Sequence, residues 1–127
     1  MRNKIIILII ALLTIPAMSL AARASTVVLQ WDATTDTTVT AQKVYYDTQG
    51  TPPFKGSGAT QGSSGFLVAK GTGATISGLD PTKTYYFAIT NWNGTLSMES
   101  IYSNIVIIPA FPTPPANLRA ISINVTP

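Results

Sequence analysis

Ile76-Ser77-Gly78-Leu79-Asp80-Pro81-Thr82-Lys83-Thr84-Tyr85-Tyr86-Phe87-Ala88-Ile89-Thr90-Asn91 is the stretch whose reading decides the fold. Its second half alternates. Tyr85, Phe87 and Ile89 share one face of an extended chain, and Tyr86, Ala88 and Thr90 share the other. Aromatic and β-branched residues in that period predict a strand with one face against a core. Asp80-Pro81 predicts the turn before it, because proline cannot donate to a ladder and aspartate bonds nearby backbone. The first half closes an earlier strand, Ala74 to Leu79, preceded by another from Phe66 to Lys70.

The same pattern continues outward in both directions. Gln42 to Asp47 places Val44 and Tyr46 together, opposite Lys43 and Tyr45. Thr26 to Trp31 places Val27, Leu29 and Trp31 on one face and Val28 and Gln30 on the other. Tyr102 to Ile108 is a β-branched strand ending at Pro109. Gly50 to Gly65, with Pro52-Pro53 and repeated glycine, is expected to be a loop without structure of its own. Asn91 to Ser100 is expected to be a second, polar loop. No window holds a helical period. Short strands separated by turns predict an all-β, two-sheet sandwich.

These residues together resemble the fibronectin type III family, an immunoglobulin-like sandwich. Leu29-Gln30-Trp31-Asp32 resembles its second strand, and Lys43-Val44-Tyr45-Tyr46 its third. Ile76 to Pro81 followed by Tyr85-Tyr86-Phe87-Ala88-Ile89 resembles the family's Leu-x-Pro turn and Tyr-x-Phe-x-Val strand. Glu99-Ser100 and Tyr102-Ser103-Asn104 resemble the start of the last strand in bacterial members. The resemblance implies that Trp31 fills the core between sheets, and that Tyr85 is a tyrosine corner bonded to upstream backbone. Gln42 stands where an aromatic is common, and Thr82 where the turn glycine is usual.

The resemblance covers about residues 26–109, within a domain read as 25–109, and leaves the family's first strand, A, without a counterpart ahead of Thr26. A strand-A-like segment stands instead at the other end. Residues 110–127 read as a proline-rich linker and a short strand, in which Leu118, Ile121, Ile123 and Val125 supply the apolar positions. In this family the first and last strands run in the same direction. The linker Pro109–Ala116 reaches at most about 26–29 Å, so folding back to the start of strand A within one molecule is taut.

Composition limits the chemistry. Of 127 residues, 46% are hydrophobic and 10% charged, and none is cysteine or histidine. Thiol and Ser–His nucleophiles, zinc sites of nitrogen and sulfur ligands, and disulfides are therefore excluded. The formal charge of +3 comes from Arg2, Lys4 and Arg23, because the basic and acidic residues beyond them cancel. A nucleic-acid partner is not expected. Arg2 and Lys4, the apolar run Ile5–Leu13, Pro16 and Ala22-Arg23-Ala24 together predict a cleaved secretory signal over residues 1–24. The mature protein is then secreted (extracellular, cell-surface or periplasmic), with no stable membrane insertion.

No catalytic, metal or cofactor site is expected. Asp32 and Asp36 are turn residues on this reading, and the other carboxylates are scattered. Recognition surfaces are better candidates. Parity turns Tyr45, Tyr86, Ile105 and Ile107 outward as an apolar stripe, unless the Gly50–Gly65 loop folds over it. Trp92, placed in the loop after the Tyr85 strand, could stack on a sugar ring or pack on the sandwich edge. The expected function is a secreted, non-catalytic binding or assembly module, self-assembling head to tail into a filament by donating its C-terminal strand. The alternative is a monomeric accessory domain that binds polysaccharide or another exported protein.

Overall fold

The computed structural model describes residues 24–122. The expected signal segment lies outside the described residues apart from Ala24, as do Ile123 and Val125 of the tail. Seven strands and no helix are found among the described residues: β1 (Ser25–Gln30), β2 (Ala41–Asp47), β3 (Phe66–Ala69), β4 (Gly73–Leu79), β5 (Tyr85–Asn93), β6 (Met98–Glu99) and β7 (Val106–Ile108). They form two antiparallel sheets, β1-β4 and β3-β2-β5-β6, with β7 also paired to β5.

Alternation places the core where the sequence indicates. Val27, Leu29, Val44, Tyr46, Ile76, Leu79, Tyr85 and Phe87 are buried between the sheets. The Tyr85 hydroxyl accepts a hydrogen bond from the Asp80 N–H at 3.2 Å, so the corner expected of this residue is formed. Gln42 also points inward and is fully buried. Its Nε2 donates to Asn91 Oδ1 at 3.3 Å and its Oε1 accepts from the Gly71 N–H at 3.1 Å. A satisfied amide thus stands at this buried position and ties β2 to β5 and to the β3–β4 turn.

Four expectations need correction. Trp31 is only half-buried and lies beyond β1. Its Nε1 donates to Gly71 O at 2.8 Å, and the large central ring of the core is Tyr46 instead. Trp92 lies within β5, not in a loop: it pairs with Glu99, and Asn93 pairs with Met98, in a hairpin. The last strand is regular only from Val106 to Ile108. Ahead of it, Ser100 and Ser103 each donate a backbone N–H to β5, to Asn91 O and Ile89 O, and each hydroxyl accepts the N–H returned by that same residue. The segment therefore tracks β5 while bulging from it.

The fourth correction concerns the Gly50–Gly65 loop, which has no regular strand but is packed. Phe54 and Ala59 are buried. Gly56 N donates to Tyr46 O and Gly65 N to Val44 O, both at 2.8 Å, while Thr60 N donates to Ser77 O at 2.8 Å. Gln61 adds two bonds to Ser77 through its side-chain amide. The loop so joins the free side of β4 to β2 and closes that side of the sandwich.

Candidate functional site

The opposite side is open. Among the described residues β1 pairs only with β4, and no hydrogen bond joins β1 to β7. Between them lies a groove of about 280 Å³, whose walls include Leu29 and Trp31 on one side and Phe87, Ile89 and Val106 on the other. Gln30, Asp32 and Asn104 give it a polar mouth. Parity predicts that Val106 faces the core, yet it is 41% exposed. Among the described residues no strand of the first sheet stands opposite to cover it.

The tail beyond β7 starts from a fixed point. Phe111 N donates to Pro81 O at 2.9 Å, and Ala110 N to Thr84 Oγ1 at 3.3 Å. Ser25 pairs with Leu79 and Ile108 with Tyr85, on either side of the same turn. The tail therefore leaves from the pole at which β1 begins. Past Phe111 it is exposed and irregular to Ser122, with Leu118 and Ile121 about nine-tenths exposed.

On the outer face of the second sheet, the stripe expected from parity is divided. Tyr86 pairs directly with Ile107, and the Tyr86 ring lies against Gly50 of the long loop. Tyr45 packs edge-on against Tyr102 at 4.9 Å, and Tyr102 against Phe54 at 5.4 Å. Loop and bulge thus cover Tyr45 and Tyr86 in part, while Ile105 and Ile107 stay exposed. Cover of this kind also explains why Ala88, paired with Tyr45, and Thr90, paired with Lys43, are buried although they face outward.

Beside this cluster Glu99 accepts hydrogen bonds from Tyr45 Oη, from Thr90 Oγ1 at 2.7 Å and from Lys43 Nζ at 3.1 Å. Lys43 Nζ also lies 3.8 Å from the centre of the Trp92 ring, a cation–π contact. Burial pushes the Tyr45 hydroxyl pKa up, and its bond to the Glu99 carboxylate pushes it further. For Glu99 itself burial acts upward, but the three hydrogen bonds and the Lys43 charge outweigh it and hold the carboxyl below its usual value. A carboxylate with a depressed folded pKa stabilises the fold above its unfolded value, near 4.3, and loses that contribution as pH falls through the folded value. Thermal midpoints of the parent protein and Glu99→Gln, measured from neutral pH into acid, should differ above about pH 4.3 and converge below it. A gap that stays constant into acid would show that the ionised carboxylate contributes nothing.

Glu99, Tyr102 and Phe54 are outside the candidate set drawn from sequence. Reading Asn93-Gly94 as a hairpin turn would have placed Glu99 on the strand beside Trp92. Three of the aspartates hold turn or loop backbone: Asp36 accepts from Thr38, Asp47 from Thr48 and Lys55, and Asp80 from Thr82. Compared with known proteins, the chain matches no family model, no curated protein and no solved structure.

Proposed function

We propose that this chain is an exported, fibronectin type III-like module without catalysis, which binds and assembles through the open side of its sandwich along β1. One observation carries the reading. The long loop closes one side of the two sheets, while the other, among the described residues, presents an unpaired strand edge next to a groove walled by Leu29, Trp31, Phe87, Ile89 and Val106 with a polar mouth. An edge strand offers a row of unpaired N–H and C=O groups to any extended segment. Strand addition uses those groups for affinity and adjacent pockets for side-chain choice. The sheet orders β1-β4 and β3-β2-β5-β7 also agree with the family resemblance, with β1 in the place of its second strand.

The alternative, polysaccharide binding through Trp92 and the Tyr45–Tyr86 face, has less support. The Trp92 ring already carries Lys43 on one face, and Tyr45 is engaged with Tyr102 and Glu99. The test is hydrogen exchange of the β1 amides in the full chain, with a panel of extended peptides of alternating apolar and polar residues. Peptide addition should slow exchange at Val27–Gln30 at least about tenfold and shift the fluorescence of Trp31 in the groove wall. If no peptide slows exchange there, the open-edge reading is wrong.

A further inference from the structure

We infer that the occupant of this groove is the tail of a second copy of the chain, lying antiparallel to β1 with Ile121, Ile123 and Val125 turned into the core. This inference rests on the strand-accepting reading of β1. The first argument is a match of pattern. β1 and its continuation turn Val27, Leu29 and Trp31 inward at every second position. The tail sequence has Ile121, Ile123 and Val125 at the same spacing, with Ser122, Asn124 and Thr126 between. In an antiparallel pair, directly opposed residues face the same side. Pairing Ile121 with Trp31, Ile123 with Leu29 and Val125 with Val27 buries every apolar residue of both sets. It also leaves Ser122 beside Gln30 on the solvent side. A shift by one residue would turn the tail's apolar set outward.

Direction supplies the second argument. An antiparallel tail must enter beside Trp31 and run toward Ser25. Within one molecule, however, the tail leaves from the Ser25 pole, where Phe111 is tied to Pro81. Residues 112–120 reach about 30 Å when fully stretched, and the path from Ser25 to Trp31 alone takes about 23 Å. What remains must cross between the sheets and reverse direction with Pro112, Pro114 and Pro115 in the path. Proline-rich chain is stiff and extended. A second copy placed beyond that pole receives the tail with no reversal. Such a contact is heterologous and need not close on itself, so it allows a linear chain of subunits.

The chain contains no cysteine, so single introduced thiols report the contact without background. Full-length Gln30→Cys and full-length Ser122→Cys, both at exposed polar positions, are mixed and oxidised. The expected result is a mixed disulfide dimer at least tenfold more abundant than that from Thr26→Cys mixed with Ser122→Cys. Equal yields from the two mixtures overturn the register. A Gln30→Cys/Ser122→Cys double variant that closes only within one molecule on dilution overturns the second copy as occupant. If neither mixture links while foreign peptides still protect the β1 amides, the inference falls and the open-edge reading stands. If no peptide protects them either, both fall.

Discussion

Replacing Tyr46 with alanine should remove about 3–5 kcal/mol of folding stability, the largest loss expected for any single side chain here. The ring is fully buried at the centre of the sandwich. It lies 6.1 Å from Phe87 in a stacked arrangement, 6.3 Å from Phe66 and 6.4 Å from Tyr85. Deleting it opens a cavity lined by rings that cannot all collapse inward. The hydroxyl adds a second role: it donates to Gly62 O at 2.8 Å and accepts from the Ala59 N–H at 3.1 Å. Those two bonds seat the long loop, so Tyr46→Phe should still cost about 1–3 kcal/mol through the unsatisfied loop groups. Domains of ordinary stability have only about 5–15 kcal/mol, so Tyr46→Ala should lose a large share of the fold's stability. Urea midpoints followed by circular dichroism measure all three proteins. An unchanged midpoint in Tyr46→Ala would mean that the sheets do not pack around this ring.

The same residue shows what a sequence can and cannot reveal. Period-two alternation identifies Val44 and Tyr46 as inward without any structure, because a pleated strand leaves no other choice. It likewise finds Val27, Leu29, Tyr85 and Phe87, and the Asp80–Pro81 turn that sets their register. Rank within the core is a different matter. Trp31 is the larger ring, but it falls one residue beyond β1, at the open side, so it stays half-buried while Tyr46 lies between the sheets. Burial depth depends on which neighbours stand opposite, and alternation carries no such information. Loops hide more still. Nothing local marks Phe54 and Ala59 as buried, since their partners are distant in sequence, Tyr102 in the bulging segment ahead of β7 and Tyr46 in β2. Ser100 reads as a polar loop residue and Ser103 as an ordinary position of the last strand, although the hydroxyls of both act as ladder acceptors.

The candidate site was legible in one half. Leu118 and Ile121 can be read directly as apolar residues after a proline-rich linker, and both are exposed in an irregular tail. The groove could not be read, because it is formed where β1, β5 and β7 converge and where no described strand closes the first sheet. Its existence depends on topology. The outer-face stripe is divided: parity places Tyr45, Tyr86, Ile105 and Ile107 on one surface, and the long loop, the alternative cover expected from sequence, rests on part of it while Ile105 and Ile107 stay exposed.

That loop makes Gly56 the second critical position. A Cβ built on Gly56 would clash with the Tyr46 backbone carbonyl and come within 2.7 and 2.9 Å of the Tyr46 ring carbons. Backbone cannot yield as a flexible side-chain end can. Gly56→Ala must therefore push the loop off β2 and break the bond from Gly56 N to Tyr46 O. Overpacking of this kind costs about 1–3 kcal/mol, and more where a hydrogen bond goes with it. Gly71→Ala is the matched control. Its added Cβ would meet only Ala69 O at 3.7 Å, an ordinary contact, so its midpoint should move by no more than about 0.5 kcal/mol. Loss of the loop has a further consequence. Thr60 and Gln61 now occupy the free edge of β4, and releasing them would give each subunit a second pairable edge opposite β1. Gly56→Ala should thus be less stable in urea and should also form irregular aggregates in sedimentation, where Gly71→Ala keeps the parent distribution. If Gly56→Ala retains both the parent midpoint and the parent distribution, the loop is not what closes that side of the sandwich.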